Sequence, residues 1–136
     1  VSISLWEVRN NFQIYDDVGV ILKQNDENYE IFALEGTLYM AEDATINECH
    51  EKQKKISQDI QLSFSKNIEP DIWFADKDTL RAHLSSIMYM DFLLSGGGLI
   101  RVVCYDVIPG IRKNSDLDLL YVAIDSPKFL EYLNNR

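Results

Sequence analysis

The chain has 136 residues, of which 46% are hydrophobic and 26% are charged, and its formal net charge at pH 7 is -9. The length and hydrophobic content exclude a disordered chain and predict a single domain over residues 1–136. The negative charge argues against nucleic acid and anionic membranes as partners, and no apolar run reaches the ~18 residues that cross a bilayer.

The acidic residues are concentrated at the front of the sequence. Residues 1–48 hold ten carboxylates against two bases, whereas the rest of the chain holds twelve acids against eleven bases. Soluble surfaces usually intersperse both signs. The first third of the chain therefore predicts a negative surface that attracts a basic partner.

The first 41 residues predict an antiparallel meander. Strands are expected at 3–8, 12–15, 18–23, 29–34 and 37–41. Glu35–Gly36 is typical of a two-residue hairpin turn, which would set Phe32 opposite Tyr39 on neighbouring strands. In such a meander Asp26–Glu27 and Glu42–Asp43 share one rim of the sheet, and Asp16–Asp17 lie at the opposite rim.

Two long helices are predicted after the meander. Thr45-x-x-Glu48 is a capping box, and the helix that it opens is expected to run to about Lys66. A short edge strand at 72–75 comes next. A second helix, capped by Asp76 or Asp78, is then expected to end at Gly96–Gly98, because residues 87–94 are apolar nearly all round.

The last part of the chain predicts two strands and a short helix. Residues 99–108 and 117–124 are rich in branched and aromatic side chains and are typical of an antiparallel pair in the middle of a sheet. Ser126 and Pro127 predict the start of a helix that reaches Leu133. The expected fold is α+β: an antiparallel or mixed sheet of about five to six strands, with two long helices and a short C-terminal helix.

Residues that could carry chemistry are few, and no cofactor or metal motif is recognisable. Cys49 and Cys104 fit no metal-binding spacing and are interpreted as reduced, part-buried thiols of a cytosolic protein, with a disulfide as the alternative. His50 is expected on the helix surface, and His83 has no second ligand at a suitable spacing. These features favour a protein without a catalytic or metal site.

Three carboxylates leave an enzymatic alternative open. Asp91 interrupts an apolar run, and a buried carboxylate can act as a general acid. More often such a group is satisfied structurally, and Arg101 is a candidate partner. Asp106 and Asp118 are interpreted in the same way.

The candidate partner-binding residues are the acids of the front segment and the aromatics among them. Carboxylates at strand ends are also ordinary turn and cap residues, but the scarcity of neighbouring bases favours a binding role. Tyrosine is a common anchor at interfaces. The predicted set is Asp16, Asp17, Asp26, Glu27, Tyr29, Glu30, Tyr39, Glu42 and Asp43.

In its size, its acidity, its lack of a catalytic set and its acidic turns at Asp26–Glu27 and Glu42–Asp43, the chain resembles bacterial immunity proteins. These small acidic proteins protect against toxins, including those of contact-dependent inhibition systems. The resemblance implies a cytoplasmic one-to-one complex in which the protein covers the active site of a cognate basic toxin, most naturally a nuclease. Two alternatives stay open: a small carboxylate-based enzyme that uses Asp91 or Asp106, and a ligand-binding or structural subunit.

Overall fold

The computed structural model describes residues 2–4, 15–64, 67–108 and 117–135. Seven strands in these ranges form one antiparallel sheet with the order β1-β2-β3-β7-β6-β5-β4. The strands are Ser2–Ser4 (β1), Asp17–Leu22 (β2), Ile31–Tyr39 (β3), Asp71–Phe74 (β4), Leu84–Leu93 (β5), Leu99–Val107 (β6) and Leu119–Asp125 (β7). The helices are Ile46–Ser63 (α1) and Pro127–Asn134 (α2), and a 3-10 turn covers Lys77–Thr79.

The main core lies between α1 and one face of the sheet. Helix α1 packs against β6 and β7. Alternate side chains of these strands point to the face that α1 covers, and the inward side chains of the helix contact them. The buried members of this core are Met40, Cys49, Met90, Phe92, Ile100, Val102, Cys104 and Leu120. The opposite side of the sheet, here called the far face, has a smaller buried cluster of Leu84, Ile87, Val103 and Val107.

The two cysteines form a disulfide, so the prediction of free thiols is wrong. Cys49 on α1 and Cys104 on β6 are both fully buried, with an S–S distance of 2.11 Å. Their Cα atoms are 6.0 Å apart, a separation that a disulfide can span. Packing of α1 on the sheet brings together two residues that are distant in sequence, which spacing alone could not reveal.

The predicted second long helix is wrong, because residues 84–93 form strand β5. Met88, Met90 and Phe92 face α1, whereas Ile87 and Tyr89 belong to the far face. A strand that buries side chains on both faces has a continuous apolar run, which periodicity cannot distinguish from a buried helix. The glycines at 96–98 consequently belong to the β5–β6 turn, where Gly97 has φ +85.

The predicted hairpin turn at Glu35–Gly36 is also wrong, because β3 runs straight through it. Gly36 is needed for close packing: a Cβ built on it would lie 2.9 Å from Cδ1 of Tyr15. Glycine inside a strand often marks such a close approach. Phe32 and Tyr39 are therefore near opposite ends of one strand and are not a cross-strand pair.

Other predictions are confirmed. The α+β class holds, β6 and β7 pair in the interior of the sheet, and β4 is an edge strand. Glu48 Oε2 accepts the backbone N–H of Thr45 at 2.6 Å, and Ser126 caps α2 with Pro127 in its first turn. Helix α1 ends at Ser63, before the expected Lys66. The predicted strand residues 5–8 and 12–14 lie outside the described residues.

Candidate functional site

Five of the nine predicted partner-binding residues gather where β2 begins and β3 ends. This group, Asp16, Asp17, Tyr39, Glu42 and Asp43, is called the acidic patch below. Asp16 Oδ2 accepts the backbone N–H of Tyr39 at 2.8 Å, and Asp17 pairs with Thr37 across the two strands. Glu42 and Asp43 follow Tyr39 in the exposed turn that leads to α1.

The acidic patch combines exposed acid with an exposed aromatic ring. The Tyr39 side chain is 43% exposed. Within the described part of the chain, neither Glu42 nor Asp43 forms a salt bridge. A groove of about 490 Å³ opens beside Tyr39, and Arg81, Tyr105 and Leu119 contribute to its lining. The patch therefore offers carboxylates at the surface and a recess for a partner side chain.

The other four predicted residues lie in the β2–β3 turn. This group, Asp26, Glu27, Tyr29 and Glu30, is called the acidic turn. The Asp26 carboxylate accepts the backbone N–H groups of Asn28 at 3.0 Å and Glu30 at 3.2 Å. These bonds fix the turn, and the bond from Asn28 is the main reason that the pKa of Asp26 is lowered.

Tyr29 stands out from the acidic turn. It is 73% exposed and has a φ of +53, a left-handed conformation that is unusual for a bulky residue. Its backbone N–H donates to the carbonyl of Asp26 at 3.2 Å, which helps to hold this conformation. The turn thus presents one aromatic ring to solvent from a fixed backbone.

The charge of the acidic turn is partly compensated by bases. Glu30 forms salt bridges with Lys23 at 3.6 Å and with Lys128 of α2. The hydrogen bond from Lys128 lowers the pKa of Glu30, and the same bond raises the pKa of Lys128. The sequence did not reveal this compensation, because Lys128 is distant from the turn in the chain.

The predicted shared rim of the two acidic turns is wrong. Asp26–Glu27 precede β3 and Glu42–Asp43 follow it. A nine-residue strand is roughly 27 Å long at 3.4 Å per residue, so the two pairs lie at opposite ends of the sheet. Asp16–Asp17 share the end that holds Glu42–Asp43. The error follows directly from the turn that was wrongly placed at Glu35–Gly36.

A cluster that the sequence did not assemble lies on the far face. Arg101 donates from Nε to Asp91 Oδ1 and from Nη2 to Asp91 Oδ2, both at 2.8 Å, which confirms the predicted pair. Trp73 Nε1 also donates to Asp91 Oδ2 at 3.0 Å. The rings of Trp73 and Tyr89 stack with centroids 3.9 Å apart, and the Arg101 guanidinium lies 5.1 Å from the Tyr89 centroid. Alternate residues on paired strands share a face, so only the strand register could have revealed this cluster.

The carboxylates weighed for an enzymatic role have structural bonds. Both oxygens of Asp91 are used in the cluster just described. Asp106 accepts a hydrogen bond from Ser86 Oγ at 3.2 Å, and Asp118 accepts the backbone N–H of Val107 at 2.8 Å. Burial raises the pKa of Asp118. This arrangement gives no support to a general acid at any of the three positions.

His50 occupies a less open position than predicted. His50 is half-buried, and its Nε2 atom is buried without a hydrogen-bond partner in the described structure. His83 precedes β5 and lines the groove beside Tyr39. Over the described ranges, no three His, Cys, Asp or Glu side chains come together in a way that could hold a metal ion.

Comparisons with family models, with curated proteins and with solved structures find no match to this chain. Among the described residues, neither helix combines the length and the apolar character that a membrane span requires. The case for a function therefore depends on the surfaces of the molecule.

Proposed function

We propose that this protein is an acidic protein-binding inhibitor, an immunity protein that neutralises a basic toxin by covering its active site. The observation that carries the proposal is the acidic patch. Five residues that were predicted from the sequence lie at one end of the sheet, and Glu42 and Asp43 have no salt bridge within the described structure. The acidic turn, which has Lys23 and Lys128 beside it, is assigned the lesser role.

The patch supports two distinct contributions to binding. Exposed carboxylates on a protein of net charge -9 attract a cationic partner and accelerate association. Tyr39, which is anchored through its backbone by Asp16, supplies apolar contact area that slows dissociation. The groove beside Tyr39 offers space for one side chain of the partner.

A nuclease is the class of toxin that fits this surface best. Enzymes that cleave nucleic acids hold phosphates with lysine and arginine side chains, and those side chains also bind carboxylates. An acidic surface placed over such a site competes with the substrate. The proposed complex is one-to-one and needs no cofactor.

The cytoplasm remains the proposed location, although the structure contains a disulfide and disulfides are rare in the reducing cytosol. The bond between Cys49 and Cys104 is compatible with that compartment because both sulfurs are buried from attacking thiols. Because the buried bond is compatible with either compartment, cell fractionation tests the location: recovery of the protein with the cytoplasmic fraction supports the proposal, and recovery outside it contradicts the proposal.

The test of function is inhibition of an identified toxin. The protein is used as bait in its native cell, and the product of the neighbouring gene is purified and assayed for nuclease activity. We expect activity to fall in proportion to added protein and to vanish at a one-to-one ratio. A bound protein whose activity persists at excess inhibitor would contradict the proposal.

A further inference from the structure

The groove beside Tyr39 has a floor that is formed by one row of paired residues on the far face. Ile87 of β5 pairs with Tyr105 of β6, which pairs in turn with Leu119 of β7. Leu119 also pairs with Tyr39 of β3. Residues that are paired across antiparallel strands direct their side chains to the same face. The floor therefore crosses four strands and is roughly 14 Å wide, because neighbouring strands are about 4.8 Å apart.

The segment between β4 and β5 forms the side of the groove, and its backbone is held in place. Leu80 packs on the buried cluster of the far face. The backbone N–H of Leu84 donates to the carbonyl of Arg81 at 2.9 Å, and the carbonyl of His83 accepts the backbone N–H of Ile108 at 2.9 Å. The segment contributes three residues to the lining, Thr79, Arg81 and His83.

The charge of the groove lining is opposite to the charge of the whole chain. The chain holds 22 aspartates and glutamates against 13 lysines and arginines, yet no described residue that lines the groove is an aspartate or a glutamate. Arg81 supplies a guanidinium, and no carboxylate of the described residues forms a salt bridge with it. Burial raises the pKa of Tyr105, and the Arg81 charge acts in the opposite direction, so the guanidinium lies within electrostatic reach of the floor.

We propose that the groove beside Tyr39 binds a small aromatic carboxylate, with the carboxylate on Arg81 and the ring on the floor. A guanidinium can donate two parallel N–H bonds to a carboxylate. The raised pKa of Tyr105 keeps its hydroxyl protonated at neutral pH, so this group can donate a further bond. The volume of about 490 Å³ lies in the range of small-molecule sites.

The two ends of the groove orient the ligand. Arg81 precedes β5, at one end of the row, whereas Tyr39 and the acidic patch lie at the other end, on β3. Repulsion by the acidic patch directs the carboxylate of the ligand away from β3 and toward Arg81. The apolar floor then receives the ring, since Ile87, Leu119 and the tyrosine rings offer it contact area. This site goes beyond the proposed inhibitor function, because its ligand is a small molecule.

The experiment is an NMR titration of the full chain with benzoate and three control compounds. Benzamide keeps the ring without the charge, benzylammonium reverses the charge, and acetate keeps the charge without the ring. We expect benzoate to give saturable shifts at Arg81, Tyr105 and Leu119. Benzamide and acetate should each bind at least about tenfold more weakly, as expected for the loss of a charge-assisted bond or of the ring contact. Benzylammonium should give no saturable shift at these residues.

Two variants with the same change of charge test the role of Arg81. Arg81→Gln should weaken benzoate binding at least about tenfold and leave benzamide binding within about twofold of the wild type. Lys77→Gln is the matched control: Lys77 lies in the same segment but is not among the described residues that line the groove. It should leave the affinity for benzoate within about twofold. Both side chains are exposed, so both variants should fold.

Three results would overturn the site: benzoate shifts that do not saturate, benzamide or acetate binding as tightly as benzoate, or an equal loss of benzoate binding in Arg81→Gln and Lys77→Gln. The titration uses the isolated chain and no toxin. Its failure therefore leaves the inhibitor proposal intact, and a failure to inhibit a toxin leaves this site intact.

Discussion

Loss of the Cys49–Cys104 disulfide should lower the stability of the protein by about 4 kcal/mol. The bond closes a loop with a sequence separation of 55 residues. With the chain-entropy relation, a loop of this length restricts the unfolded chain by about 14 cal/mol/K, which is about 4 kcal/mol at 25 °C. The bond also joins α1 to β6, so its loss acts on the contact that builds the main core.

The measurement compares oxidised and reduced wild-type protein by thermal unfolding. For a chain of this size 1 kcal/mol corresponds to roughly 3–4 °C, so reduction should lower Tm by about 12–16 °C. Because both sulfurs are buried, the protein is reduced while unfolded and refolded in reductant, and intact mass verifies the redox state. The Cys49→Ala, Cys104→Ala double variant should be less stable still, because it also removes two buried sulfur atoms.

The reasoning would be refuted by equal Tm values for fully oxidised and fully reduced protein. Such a result would mean that the bond does not restrict the unfolded chain as calculated, for example because the reduced unfolded chain already holds α1 against the sheet. Thiol counting in denaturant verifies that the oxidised sample has no free thiol and the reduced sample has two. The chain contains only these two cysteines, so no other disulfide can compensate.

Three further changes test particular contacts. Asp125→Asn should become more stable relative to the wild type as pH rises from about 4, by at most about 1.4 kcal/mol per pH unit, because burial raises the folded-state pKa of Asp125. Urea unfolding of both proteins at several pH values measures this. A difference in unfolding free energy that stays the same at every pH would contradict the prediction. Gly36→Ala should cost about 1–3 kcal/mol because its Cβ would press on the Tyr15 ring, whereas Gly19→Ala, with only a 3.5 Å contact, should change stability by less than about 1 kcal/mol. Arg101→Met should lower stability by about 1–3 kcal/mol, because the half-buried Asp91 carboxylate loses its cation and keeps only the hydrogen bond from Trp73. A variant as stable as the wild type would show that the ion pair is dispensable.

Local signals in the sequence predicted the parts of the fold that local interactions determine. The capping box at Thr45 and the Ser126–Pro127 start were correct because each is formed by residues within one helical turn. The Asp91–Arg101 pair was also correct, although its element was mistaken, because a carboxylate in an apolar segment needs a partner in any fold. Such requirements can be recognised without knowing the tertiary structure.

The failures concern features that tertiary packing determines. Strand β5 is apolar on both faces, so its sequence is equally compatible with a buried helix. Gly36 lets the Tyr15 ring pack closely against β3 and does not form a turn. This contact joins segments that are separate in the sequence. The prediction of the candidate site failed for the same reason. The sequence identified the acidic residues, but a turn wrongly placed at Gly36 put Asp26–Glu27 and Glu42–Asp43 at one end of the sheet, whereas they lie at the two ends of β3.

The most direct test of the central claim, that the acidic patch receives a basic toxin, is the rate of association in stopped flow. Glu42→Lys with Asp43→Lys should slow association at least about tenfold and flatten its salt dependence. Glu51→Lys with Asp59→Lys, two exposed positions on α1, makes the same change in net charge and should stay within about threefold of wild type. Equal slowing of both double variants would contradict the account, because net charge alone would then explain the attraction.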